Sequence, residues 1–136
     1  MKKIFVYGTL RKGSHTNKWY LGKESESVFI DSGRTKHKYT LFVDYAIPSL
    51  CVDYKEITHI VGDIYSISDK TERILDRLEG IGLPGGYIKI VLPIILDNGS
   101  KEMCLVYVRS YEVLVSTQKG KHIIEDGDYV NYNNGV

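Results

Sequence analysis

A chain of 136 residues has the size of one ordinary domain, and its 43% hydrophobic and 26% charged residues strike a globular balance that argues against disorder. Lys and Arg total 18 against 17 Asp and Glu, so a net charge of +1 removes the usual electrostatic case for a nucleic-acid partner. Cys51 and Cys104 make neither a disulfide framework nor a zinc signature, and no apolar run approaches the ~18 residues of a membrane helix. The basic start, Met1 to Tyr7, loses its apolar character at Gly8, too early for a secretory h-region. These features lead us to expect a reduced, soluble, cytoplasmic protein forming one domain over 1–136, its tail fraying after about residue 132.

In chain order, Lys2 to Tyr7 reads as a strand that ends at Gly8. Thr9 to Asn17 reads as an exposed loop, and Trp19-Tyr20-Leu21 as a short helical turn. Further strands are expected at Tyr39 to Val43, Ile47 to Val52 and Ile60 to Tyr65, with Gly62 a bulge or a point of close approach. Asp69 to Glu79 is the one clear helix. Asp69 and Glu72 have capping-box spacing, Ile74, Leu75 and Leu78 share one face, and Gly80 is a natural terminator. Tyr87 to Leu96 and Glu102 to Val108 flank Asp97-Asn98-Gly99, the strongest hairpin signal in the chain. Eleven Tyr and 13 Gly fit many strands joined by tight turns. The fold class that follows is α+β, rich in antiparallel strands.

Several chemistries fail on inspection. Gly8 and Gly13 have phosphate-loop spacing, but Ser14-His15 stands where Lys-Ser/Thr is needed. There is no Gly-x-Ser-x-Gly elbow, and His15, His37, His59 and His122 are scattered without ligand spacing. Asp126-Gly127-Asp128 lacks the remaining positions of a calcium loop. No metal site and no cofactor is expected.

Two segments remain. In Tyr7-Gly8-Thr9-Leu10-Arg11-Lys12-Gly13 a strand opens through glycine into a loop. Its backbone N–H groups suit a carboxylate or a developing oxyanion, although Gly8 also fits a plain strand-ending turn. In Leu75-Asp76-Arg77-Leu78-Glu79-Gly80, the carboxylate of Glu79 lies at the negative end of a helix, three residues from Asp76. Both charges would raise its pKa towards that of a useful base, although a solvated surface Glu fits the same position.

Taken together, these motifs resemble the γ-glutamylcyclotransferase-like family, in its γ-glutamylamine cyclotransferase or AIG2-like branch. The resemblance continues in order through Asn17, Tyr39-x-Leu41, Pro48-Ser49-Leu50, Val61-Gly62-Asp63-Ile64-Tyr65, Tyr87, Tyr107 and Ile124-x-x-Gly127-Asp128-Tyr129. It implies a small mixed β-barrel with flanking helices and a cavity at one side. It also implies a cofactor-free enzyme in which the α-amine of a γ-glutamyl amide attacks its own γ-carbonyl, closing 5-oxoproline and freeing the amine. By position, Glu79 matches the catalytic carboxylate, and Tyr7, Gly8, Thr9 and Leu10 match the substrate-binding loop. The implied partner is a small γ-glutamyl substrate, with no nucleic acid and no membrane, for a monomer or weak homodimer. The alternatives are a non-catalytic small-ligand module on the same fold, or a hydrolase or acyltransferase that uses Glu79 on water or an external amine.

Some positions depart from the motif or stay open. Lys89 stands where the family often has Arg, which weakens any recognition or bracing there because Lys offers no fork. Ile81 to Gly86 is unusually glycine-rich for the family and reads as a rim or a turn. Tyr87 and Tyr107 fit either the cavity or ordinary packing. Arg11 and Lys12 fit either an anionic substrate or solvent.

Overall fold

The computed structural model describes residues 1–44, 47–115 and 121–134. Eight strands form one sheet: β1 (Lys2–Val6), β2 (Val28–Thr35), β3 (Thr40–Asp44), β4 (Ile47–Cys51), β5 (Val61–Ile67), β6 (Ile88–Leu96), β7 (Lys101–Val108) and β8 (Lys121–Ile123). The helices are α1 (His15–Leu21), α2 (Asp69–Leu78), α3 (Tyr111–Val115) and α4 (Tyr129–Asn134).

The order β1-β5-β2-β6-β7 closes on itself because β1 also pairs in parallel with β7, at Ile4 and Leu105. Closure leaves the five-stranded barrel itself without an open edge. From β7 the sheet runs on through β4, β3 and β8. This is the expected mixed barrel with flanking helices.

Alternation along β1 sorts two cores. Phe5 and Tyr7 join Ile64, Ile94 and Val106 inside, whereas Ile4 and Val6 pack outside with Leu75 of α2 and Leu21 of α1. Both faces of β1 are therefore covered, which is why its sequence reads as an unbroken apolar run. Cys51 and Cys104 are free and buried in strands, as small apolar residues. No helix among the described residues is long and apolar enough to cross a membrane.

The structure differs from several expectations. β2 was not expected, because Asp31-Ser32-Gly33 has turn composition. Here Ser32 Oγ donates to Asp63 Oδ1, Asp31 accepts from Asn98 N, and a Cβ on Gly33 would meet Ile95 O at 2.5 Å. The loop after Gly8 is shorter than read, since Ser14 caps α1 by accepting from Asn17 N. Ser68, not Asp69, caps α2 by accepting from Thr71 N, and Glu72 turns its carboxylate to Lys2 and Lys89 instead of closing a capping box. Of the apolar face of α2 only Leu75 is buried; Ile74 and Leu78 stay exposed. In the tail, Ile124 and Tyr129 are buried and Asn133 lies within α4, while Gly135 falls outside the described residues.

The remaining signals translate as expected. Gly62 is a close approach: a Cβ there would meet Val6 O at 2.5 Å and Phe5 Cζ at 2.6 Å. Gly99, at φ 91°, turns the β6–β7 hairpin.

Candidate active site

A cavity of about 560 Å³ opens where the end of β1, the start of β4, the end of α2 and the end of β7 converge. Its wall includes Tyr7, Gly8, Thr9, Leu10, Pro48, Glu79, Tyr87, Tyr107 and Arg109. The structure thus brings together all five residues singled out in the two sequence motifs, although 69 positions separate Leu10 from Glu79 in the chain.

The loop after β1 is held from behind. Arg11 N donates to Gly8 O at 3.1 Å, Ser14 Oγ donates to Thr9 O, and Asn17 Nδ2 donates to Leu10 O at 2.7 Å. A planar trans peptide points its N–H opposite its carbonyl, so anchoring these carbonyls also sets the direction of the N–H groups that follow them. Glycine at position 8 is required by packing: a Cβ would meet Pro48 Cγ at 2.5 Å. Arg11 is no free anion trap, since it pairs with Asp128 at 2.9 Å and Asp63 at 3.4 Å, while Lys12 lies over the Phe29 ring.

Glu79 is the C-cap of α2, with its N–H on Leu75 O. Gly80 follows at φ 69°, and the chain doubles back through Ile81 to Gly86 until Tyr87 N donates to Glu79 O at 3.0 Å. The glycine-rich segment is therefore a hydrogen-bonded rim that brackets Glu79. Burial pushes the Glu79 carboxyl up to about 7, against a smaller downward pull from Arg109. Of the two expected causes, the helix end and Asp76, repulsion from Asp76 is not operative. Asp76 is occupied by both Lys89, at 2.9 and 3.0 Å, and the Tyr107 hydroxyl, at 2.7 Å. No hydrogen bond or ion pair reaches the Glu79 carboxylate among the described residues.

Three tyrosines frame the cavity with neutral hydroxyls. Tyr7 Oη donates to Tyr107 O at 2.6 Å and accepts from Leu50 N at 3.0 Å, tying β1 to β7 and β4. Tyr87 Oη donates to Pro48 O at 2.6 Å. Burial raises the pKa of all three, so each stays protonated.

Lys89 corrects a further expectation. It lies outside the cavity, and its ammonium reaches Glu72 as well as both oxygens of Asp76, so the position braces α2 against β6 without a guanidinium fork. Sequence reasoning missed Arg109, which lines the cavity with its guanidinium 4.2 Å from the Tyr87 ring centroid. Strand parity was the available signal: Arg109 is two residues beyond Tyr107 and so lies on the same side of β7 as a residue already considered for the cavity.

The barrel with a lone carboxylate in its mouth defines the class: a small barrel protein with a cavity suited to acid–base work on a small molecule. Its family is shown by comparison. Residues 4–131 match the family model described as "Gamma-glutamyl cyclotransferase, AIG2-like", and the chain belongs to that family. A Methanocaldococcus jannaschii protein named "Putative gamma-glutamylcyclotransferase MJ1514" is 36% identical over 132 residues, covering 97% of this chain and 98% of that one. A Drosophila melanogaster protein named "Putative gamma-glutamylcyclotransferase CG2811" is 31% identical over 109 residues, covering 78% of this chain and 68% of its own length. The crystal structure of a mouse AIG2-like protein (GGACT) superposes with a TM-score of 0.71 at 28% identity, covering 84% of this chain and 82% of that one.

Proposed function

We propose that the protein is a cofactor-free γ-glutamylamine cyclotransferase, which converts a γ-glutamyl amide to 5-oxoproline and a free amine. The observation that carries this reading is Glu79, a carboxyl raised to about 7 inside a cavity, facing a glycine-containing loop. Nucleophile and electrophile belong to one substrate, so the protein needs no nucleophile of its own. Holding the substrate's α-nitrogen against its γ-carbonyl supplies several kcal/mol by proximity.

Proton bookkeeping fits a single carboxylate. The substrate's α-ammonium sheds two protons on becoming the lactam nitrogen. The amide nitrogen gains two on leaving as an ammonium. Glu79 takes a proton from the attacking nitrogen, the ring C–N bond forms and the γ-carbonyl becomes an oxyanion. Collapse then breaks the bond to the departing nitrogen, to which Glu79 returns the proton. The second proton follows the same relay, so the carboxylate ends as it began. A pKa near the working pH serves both directions. Backbone N–H groups of residues 8 to 10 stabilise the oxyanion, typically by ~3 kcal/mol per donor.

The test is release of 5-oxoproline from γ-glutamyl-ε-lysine, γ-glutamyl-alanine and glutathione, comparing wild type with Glu79→Gln. We expect release that the substitution abolishes while the fold persists. Free glutamate as the product would mean a hydrolase, and ligand binding without turnover would mean a binding module.

A further inference from the structure

The cavity holds a second charged group with no partner assigned by the reading above. Arg109 is half-buried at the end of β7 and lines the same cavity as Glu79. Its guanidinium carbon sits over the Tyr87 ring, 4.2 Å from the centroid, and that ring is itself pinned by the bond from Tyr87 Oη to Pro48 O. A cation held over a ring in this way is positioned without using up its N–H donors. From those donors the only hydrogen bond among the described residues is a long one, 3.5 Å from Nη1 to Ser49 Oγ. Nε is buried with no hydrogen-bond partner among the described residues. Among the described residues no carboxylate comes within ion-pair distance, although Glu79 is near enough for its titration to feel the cation.

A half-buried guanidinium with one long hydrogen bond and a buried, unsatisfied Nε is costly unless something with matching geometry completes it. The planar, bidentate group that matches its edge is a carboxylate. We propose that Arg109 is the substrate-carboxylate receptor of this cavity, its fork engaging a carboxylate of the bound γ-glutamyl compound. The inference rests on the cyclotransferase reading. It adds that the site selects substrates by a negative charge at a fixed place beside Glu79. The carboxylate has two possible sources, the glutamyl α-carboxylate or one carried by the departing amine, and both present the same chemistry.

The experiment compares wild type, Arg109→Gln and Arg109→Lys, with thermal melts confirming that each variant folds. Binding of 5-oxoproline and of 2-pyrrolidinone, its decarboxylated counterpart, is measured by titration calorimetry. Turnover of γ-glutamyl-alanine and γ-glutamyl-n-propylamine is measured as KM and kcat. If Arg109 holds the glutamyl carboxylate, wild type binds 5-oxoproline and not 2-pyrrolidinone. Both substitutions then weaken 5-oxoproline binding tenfold or more, and KM rises for both substrates. If Arg109 holds a carboxylate on the departing amine, 5-oxoproline binding is unchanged and KM rises tenfold for γ-glutamyl-alanine alone. Lys is expected to rescue little in either case, because a point charge cannot reproduce the fork. Folded variants with unchanged binding and unchanged KM for both substrates would overturn the assignment of Arg109 while leaving the cyclotransferase reading intact. A wild type that neither releases nor binds 5-oxoproline would overturn both.

Discussion

Two groups of charges lie along the same helix and have opposite fates. Towards the middle of α2, Glu72 and Asp76 are saturated with partners: Lys2 and Lys89 on the first, Lys89 and the Tyr107 hydroxyl on the second. Hydrogen bonds from Lys2 and then Lys89 hold the Glu72 carboxyl below its ordinary value, even though its side chain is only 9% exposed. One turn past Asp76, Glu79 has no such partner, and burial drives it the other way, to about 7. The contrast shows that burial alone does not set a carboxylate's state; the supply of donors does. One group locks the helix to the barrel, and the other is left free for a proton.

The largest test of this contrast is Glu79→Gln. Turnover should fall by about two to four orders of magnitude, the scale of general acid–base catalysis. The fold should gain. A carboxyl raised in the folded state costs nothing while both states are protonated, below its ordinary value near 4.5, and costs most above about 7. Urea unfolding at pH 8 should therefore find Glu79→Gln more stable by roughly 2–3 kcal/mol, with the gap vanishing near pH 4. A gap independent of pH would contradict the burial argument. In the wild type, the same titration places an ascending limb of kcat/KM near pH 7.

Lys89→Met attacks the paired cluster and should cost roughly 1–2 kcal/mol in urea unfolding, because Glu72 and Asp76 lose a shared donor. The sign with pH is opposite to that for Glu79. A depressed carboxyl contributes stability above its ordinary value and loses it as the pH falls through the folded value, so the variant should show a shallower acid loss than wild type. Tyr107→Phe removes the donor to Asp76 but leaves the carbonyl that accepts from Tyr7. A loss of about 1 kcal/mol is expected, with the tie between β1 and β7 preserved, readable as unchanged hydrogen exchange along those strands. Lys2→Met should be the mildest. Its ammonium is on the open side of the cluster, and no measurable shift of the urea midpoint is expected.

Local signals account for much of what was legible. The β6–β7 hairpin follows from Asp97-Asn98-Gly99, and α2 from its apolar spacing and the glycine after it. The elements that escaped are those whose composition answers to distant partners. β2 tolerates Asp31, Ser32 and Gly33 because Asp63, Asn98 and the Ile95 carbonyl receive them. At the start of α2, Ser68 caps by accepting from Thr71 N, while the Glu72 carboxylate goes to two lysines, one 70 residues away.

The same division holds at the site. Residues 7 to 10 and Glu79 stood out in the sequence because motif spacing is a local property of the chain. Their meeting in one cavity, the burial that sets Glu79 near 7 and the emergence of Arg109 were decided by barrel closure. Sequence by itself determined which residue types sit at each turn, cap and strand end, since backbone conformation responds to near neighbours. Electrostatics responds to everything within several ångströms, and only the tertiary fold specifies that neighbourhood.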